Sequence, residues 1–399
     1  MTSASLLSAA AVPSQGYGIR VVSTADEMES LRPFWEDLNR HPNAQIDYFR
    51  LINAIRGNIL RPHIVLLERD GAPQGLILGR VEQQEFRCHL GYKSVGLGQV
   101  RQLSILHGGV LGCAEEEEAQ MVLEALLAVL RRGEVDLLFF NHLDTESHLF
   151  RLASRRPGAL CRDHRVAPQL HWKAKLPGTF TEFLQRLNKK HRYWLRRLQK
   201  QIEQDFPGRV SYRSFPDGQQ LDGLMNDLER VASKTYQRGL GAGFRNDADQ
   251  HRRLALEAEK NWLRIHVLYV ENRPCAFWIG RLYKRVFHSD VTGYDPEFRN
   301  YELGTIIFMK MVEHLCREQA EAIDFGLGDA LYKQRFGDQS WHEAIVRVFS
   351  PRFHGVARNL AQTAIETPAS CLRSFLNRVN LQQRLKTLWR RRLLQGREE

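Results

Sequence analysis

The sequence predicts a mixed α/β fold in which one sheet-and-helix unit is built twice. Two observations carry this. First, "HIVLLERDGAPQGLILGRV", from His63, is echoed by "RIHVLYVENRPCAFWIGRLY", from Arg264. Aligned without gaps, Pro73 falls on Pro274 and Gly79-Arg80 on Gly280-Arg281. Second, the neighbours of the two copies follow one order, which a chance likeness of two short runs would not produce.

Each copy is a β-branched or aromatic run, a polar turn (Asp70-Gly71 or Glu271-Asn272) and a second run, the pattern of a β-hairpin. Short strands precede them, Ile19 to Ser23 and Val210 to Phe215, followed by the helical segments "ADEMESLRPFWEDLNR" and "GQQLDGLMNDLERVASKTY". After each hairpin come a further strand, an amphipathic helix and a buried strand. These last two are "EEEEAQMVLEALLAVLRRG" with "VDLLFF", and "LGTIIFMKMVEHLCREQ" with "AIDFG". The order implies mixed, mainly antiparallel sheets with helices packed on them. The predicted domains are 17–172 and 173–350, with a disordered leader over 1–16 and a basic helical extension over 351–399.

Composition sets outer bounds. The chain has 399 residues, 43% hydrophobic and 26% charged, enough for two domains with their own cores. Its net charge of +11 favours anionic partners: phosphorylated cofactors, nucleic acid or a membrane surface. The six cysteines (88, 113, 161, 275, 316, 371) form no CxxC pair and no zinc-ligand spacing, so reduced thiols in a cytoplasmic protein are expected, without metal or disulfide framework. No stretch approaches the ~18 apolar residues of a spanning helix.

Between the halves lies "LPGTFTEFLQRLNKKHRYWLRRLQKQIEQDF", in which Thr179 or Thr181 can cap a helix that is strongly basic from Lys189 to Lys200. Interleaved Arg and Lys with Tyr193 and Trp194 could follow an RNA backbone; a solvated basic face is the plainer alternative. In the tail, Leu372, Phe375, Leu376, Val379, Leu385, Leu388, Trp389 and Leu393 recur at helical spacing beside many arginines. Such a helix packs on its own protein or lies on a membrane surface.

Ionisable residues concentrate at "DFGLGDALYKQRFGD", 324 to 338, where a buried strand should end. Asp324 and Asp329 flank Gly326 and Gly328, and Tyr332-Lys333 follow. Glycines allow a sharp turn or close approach to a ligand. A lysine there can hold an anion or a developing oxyanion, and an aspartate can take a proton from a nucleophile. Residue types alone leave a second reading open, a strand-end turn with a solvated Asp324–Lys333 ion pair. Upstream, Gly304-Thr305 opens a helix whose free N–H groups suit a pyrophosphate. G-x-S-x-G, the P-loop and the Rossmann fingerprint are absent, which argues against those sites. His142 and His148, at the equivalent place in the first half, are expected in a solvated loop.

The run from Val291 to Phe336 resembles the C-terminal domain of GNAT-like acyltransferases of the CelD/BcsL type, through Asp-Phe-Gly-x-Gly-Asp, Tyr-Lys and Arg-Phe-Gly. It is similar, more distantly, to Fem-type aminoacyltransferases, which also carry two GNAT-like domains. The resemblance implies tandem GNAT-like (acyl-CoA N-acyltransferase) domains and transfer of an acyl group, acetyl in the simplest case, from acyl-CoA. The implied acceptor is an amine or hydroxyl of a sugar, polysaccharide or cell-envelope precursor, as in exopolysaccharide biosynthesis. The resemblance implies Lys333 as donor or carbonyl contact, Tyr332 lining the pocket, and Asp324 and Asp329 shaping or activating it. For direct transfer the candidate catalytic residues are Asp290 or Asp324 as base and Lys333 as oxyanion contact, with Tyr294 and Tyr236 as further substrate-binding candidates. Arg299, Gly304 and Thr305 would meet the CoA. "RNYELGT" departs from the usual Q/R-x-x-G-x-G/A, leaving Arg299 to supply charge. The rival readings are an aminoacyl-tRNA-dependent transferase and a non-catalytic GNAT-like scaffold held at the inner membrane by its tail.

Overall fold

The computed structural model describes residues 16–90, 93–215, 221–239 and 242–378. The leader and everything after Arg378 lie outside the described residues. The chain divides into two compact units, the first made of 1–170 with 341–382 and the second of 171–340 with 383–399.

The first unit contains strands β1 (Tyr17–Val22), β2 (Ile59–Arg69), β3 (Ala72–Leu90), β4 (Lys93–Leu111) and β5 (Leu137–Asp144). Its helices are α1 (Ala25–Ser30), α2 (Arg32–Leu38), α3 (Ile46–Ile55), α4 (Glu116–Arg132) and α5 (His148–Arg155). The second unit contains α6 (Phe180–Arg186), α7 (Lys189–Asp205), α8 (Leu221–Ala232), α9 (Tyr236–Gly239), α10 (Ala248–Glu259), α11 (Leu303–Arg317) and α12 (Leu331–Phe336). Its strands are β6 (Gln169–Lys175), β7 (Val210–Phe215), β8 (Leu263–Val270), β9 (Arg273–Tyr283), β10 (Val286–Tyr294) and β11 (Ala322–Leu327). Strand β12 (Gln339–Phe349) and helix α13 (Phe353–Arg378) return to the first unit.

Both hairpins form where the repeat predicts them. Asp70 and Gly71 take φ of 51° and 79°, and Glu271 and Asn272 take 53° and 63°. Positive φ at both central residues matches the right-handed twist of the strands they join. The strand order is β1-β2-β3-β4-β5-β12 in the first unit and β7-β8-β9-β10-β11-β6 in the second. In each, the hairpin-linked strands run antiparallel and one neighbouring pair is parallel, β4 with β5 and β10 with β11. The closing strand departs from the expected boundaries. β12, predicted in the second domain, pairs antiparallel with β5, while β6 pairs with β11. Side-chain alternation identifies a strand but does not choose its neighbour.

Period-2 alternation gives each sheet two apolar faces. In the first unit Ile64, Leu66, Leu76 and Leu78 pack with α1 to α3, and Val65, Ile77 and Val81 pack with α4 and α5. In the second, Ile265, Val267, Phe277 and Ile279 pack with α8 and α10, whereas Leu268, Ala276, Trp278, Ile323 and Phe325 meet α6, α7 and α11. The segment between the halves is two helices rather than one. Thr179 caps α6 and Asn188 caps α7, each side chain accepting an N–H in the first turn. The described part of α13 packs on its own unit: Asn359 donates to the carbonyls of Leu160 and Arg162, and Gln362 to Asp163. No helix among the described residues is long and apolar enough to cross a membrane.

Candidate active site

Parallel pairing of β10 with β11 joins Val286 to Ala322, Phe287 to Ile323 and His288 to Asp324, and stops there. Immediately beyond, both strands slip against their outer partners, β10 between Ser289 and Val291 and β11 between Asp324 and Gly326. Such irregularities bend a strand and end its pairing. The two strands therefore part at His288 and Asp324, at the carboxyl end of the parallel pair, where ligands of α/β sheets bind.

Asp324 is the hub. Its Oδ1 lies 2.6 Å from His171 Nε2 on β6 and accepts the Gly326 N–H at 2.8 Å. Its Oδ2 lies 3.6 Å from His288 Nδ1. Burial alone would raise its pKa. The hydrogen bond from His171, the electrostatic pull of the His171 and His288 rings and the Gly326 N–H outweigh burial and hold the carboxyl below its ordinary range. An ionised Asp324 requires the hydrogen of His171 to sit on Nε2, which fixes that tautomer. Gly326 and Gly328 have φ of 67° and 98° with open space where a Cβ would stand, so these glycines serve the turn.

Lys333 is buried on α12. Its Nζ donates to Leu327 O at 2.5 Å and Gly326 O at 3.1 Å, fastening the turn and leaving one N–H. Burial pushes its pKa down to about 8, against the opposing pull of Asp324. The solvated Asp324–Lys333 ion pair is thus replaced by a buried His–Asp pair and a lysine bound to carbonyls. Tyr332 stands edge-on to Trp278, 5.6 Å between ring centres, and to Phe325 at 5.9 Å. Trp278 is held by a hydrogen bond from its Nε1 to Ser289 Oγ at 3.0 Å.

The remaining predicted residues are placed elsewhere. Asp290 pairs with Arg253 at 2.6 Å, near the fully buried Glu257. Burial raises the Asp290 pKa, but Arg253 and Arg281 outweigh it and keep the carboxylate ionised. Paired to the part-buried Arg253 and close to the buried Arg281, it is a poor base. Asp329 is exposed and accepts from Gln334. Tyr294, at the end of β10, and Arg299, on the short turn Pro296–Tyr301, are exposed. Tyr236 opens α9, and its side chain lies outside the described residues. Gly304 sits in the first turn of α11, where a Cβ would meet only Tyr294 Cδ1 at an ordinary 3.8 Å. That turn also carries the exposed Glu302, whose carbonyl already accepts from Thr305 and Ile306. Thr305 instead borders a cavity of about 100 Å³ between α6, α7 and α11. Leu184, Leu195, Leu198, Ile306 and Met309 line it, with Arg192, Arg196, Lys310 and Glu313.

Sequence reasoning missed His171 and His288. Each is a lone histidine at a buried position of a strand, a pattern that core histidines share, and only the topology sets them beside Asp324. In the first unit His142 and His148 are not loop residues. His142 lies in β5 with its ring 6.0 Å from that of His107, and His148 opens α5.

Residues 189–334 match the family of the acetyltransferase (GNAT) domain. Comparison with curated proteins gave no match. Among solved structures the chain is similar to FemX, with 9% identity over 82% of this chain and 96% of that one and a TM-score of 0.51. It is also similar to L-PGS from Bacillus licheniformis (13% identity, 86% and 97% covered, TM-score 0.49) and to a tandem GNAT protein from the clavulanic acid biosynthesis pathway (9%, 84% and 99%, 0.47). The fold is GNAT-like, and the matched span carries Asp324 and Lys333.

Proposed function

We propose that the second unit transfers an acyl group from acyl-CoA to an amine or hydroxyl of a sugar or cell-envelope precursor. The observation that supports this best is the His171–Asp324 pair, with Lys333 beside it, at the point where β10 and β11 part. In this reading the acceptor's lone pair attacks the thioester carbonyl carbon. The acceptor proton passes to the His171–Asp324 pair, where the carboxylate stabilises the imidazolium. The remaining N–H of Lys333 faces the developing oxyanion. The C–S bond then breaks and the thiolate of CoA leaves with a proton. Trp278 and Tyr332 wall the acceptor. The apolar cavity bordered by Thr305, with Arg192 and Arg196 at its edge and Lys310 paired to Glu313, offers room for part of the donor, with Arg299 as a further cation. The likeness of the Asp324–Gly337 run to CelD/BcsL enzymes favours an acceptor from exopolysaccharide biosynthesis.

One observation favours an aminoacyl-tRNA donor instead. On α7, Lys189, Lys190, Arg196, Arg197 and Lys200 are all exposed, with Tyr193 71% exposed among them. Basic residues interleaved with an open aromatic ring suit a nucleic-acid backbone. Native mass spectrometry of the purified chain with acetyl-CoA, and separately with tRNA, separates the two. A one-to-one acetyl-CoA complex supports the first reading. A tRNA complex with no thioester bound reverses the order, and neither would favour a scaffold.

A further inference from the structure

We propose that the first unit holds a second small-molecule site, a pocket for the acidic group of a hydroxylated ligand, at the mouth of its own parallel strand pair. The pairing of β4 with β5 runs from Gln102–Leu137 to Ile105–Phe140 and ends. The residues next along each strand, Leu106 and His107 on β4 and Asn141 on β5, line a cavity of about 180 Å³. The first unit thus opens its sheet where the second unit does, and fills the opening with different chemistry.

That chemistry is cationic and polar. Arg80 and Arg56 both line the cavity, with Tyr48, Asn43 and Asn141. The Arg80 side chain is only 13% exposed and its Nε stands 3.3 Å from Glu82 Oε2. Glu82 is already engaged by Ser104 and Gln102. Arg80 Nε is sealed from solvent and makes no hydrogen bond among the described residues. Burial, followed by repulsion from Arg56, lowers the Arg80 pKa against the pull of Glu82, so the two guanidiniums are close enough to feel each other. Glu82 pairs with Arg80, and Arg56 brings a second guanidinium to the same cavity; the planar fork of arginine suits a phosphate or a carboxylate.

The pocket is also built. His107 Nε2 lies 2.9 Å from Glu343 Oε2, and its ring stands 4.9 Å from that of His41. Gly108, at φ 75°, permits this approach, since a Cβ there would come within 2.6 Å of His41. At about 180 Å³ the space falls below the roughly 300–1,000 Å³ of drug-sized sites, which fits a small metabolite or the head of a larger one. Tyr48, Asn43 and Asn141 supply partners for hydroxyl groups.

The proposal is tested by binding alone. Calorimetry on the full chain uses glucose 6-phosphate, glucuronate and glucose as probes. At least one acidic sugar should bind while glucose does not, and which acid binds identifies phosphate or carboxylate as the group recognised. Arg80→Gln and Arg56→Gln should each weaken binding about tenfold or more. Arg56 is exposed, so its variant keeps the test open if loss of Arg80 unsettles the fold. Arg155→Gln, which removes a charge from the exposed side of α5, should bind as the wild type does. Failure of both acids to bind, equal binding of glucose, or wild-type binding by Arg56→Gln overturns the proposal.

Discussion

Asp324 carries most of the chemistry assigned to the second unit, and its removal is the sharpest residue-scale test of any partner it orients. Asp324→Asn keeps the shape but removes the charge that fixes the His171 tautomer. Transfer should fall about 10²–10⁴-fold in kcat, with KM for the donor little changed. Lys333 adds a pH signature. It is protonated below its value of about 8, so transfer should decline as pH rises through that value, and Lys333→Met should be slower throughout and lack this limb. Stability moves the other way. The folded chain holds this proton less tightly than the unfolded chain, so the cost of burying the charge is fully present below about 8 and is relieved as pH rises toward 10.5. Urea midpoints of wild type minus Lys333→Met at pH 7 and pH 10 should show that difference. At this scale the sequence exposed Asp324 and Lys333 through their crowding with glycines. It hid His171 and His288, because a histidine inside a strand announces no partner.

Elements were legible where local rules govern them. Asp70-Gly71 and Glu271-Asn272 marked both hairpins, since few residue pairs accept two positive φ values in succession. The return of β12 to the first unit was not legible, because a strand's neighbour is chosen by contacts remote in sequence. Glycines again separate local need from packing. Gly280 on β9 is wedged under Phe287, where a Cβ would lie 2.3 Å from the ring and 2.6 Å from His288 O. Gly280→Ala should destabilise the protein by about 1–3 kcal/mol and disturb His288. Gly304→Ala, in the first turn of α11, should cost less than about 0.5 kcal/mol, as helices favour alanine and the space is open. Urea denaturation of the pair checks the contrast.

At the scale of the molecule, two units share a sheet plan and differ in the linings at the parting of their parallel strands. In the second unit the lining is a histidine–carboxylate pair with a depressed lysine; in the first it is a pair of arginines with amides and a tyrosine. Four thiols are shielded to different degrees. Cys88, Cys113, Cys161 and Cys275 have pKa values raised to between about 11 and 12 by burial, so alkylation at pH 7.5 should be slow in the folded state and fast in urea. The basic face of α7 is a whole-molecule feature as well: if it follows a nucleic-acid backbone, tRNA binding should weaken steeply as salt rises.

The central claim is that the His171–Asp324 pair drives acyl transfer from a CoA thioester. Its most direct test is thiol release from acetyl-CoA, with a panel of amino sugars as acceptors, by wild type and by folded Asp324→Asn. The account predicts acceptor-dependent release by the wild type that falls at least a hundredfold in the variant. Equal release by the two proteins would contradict it.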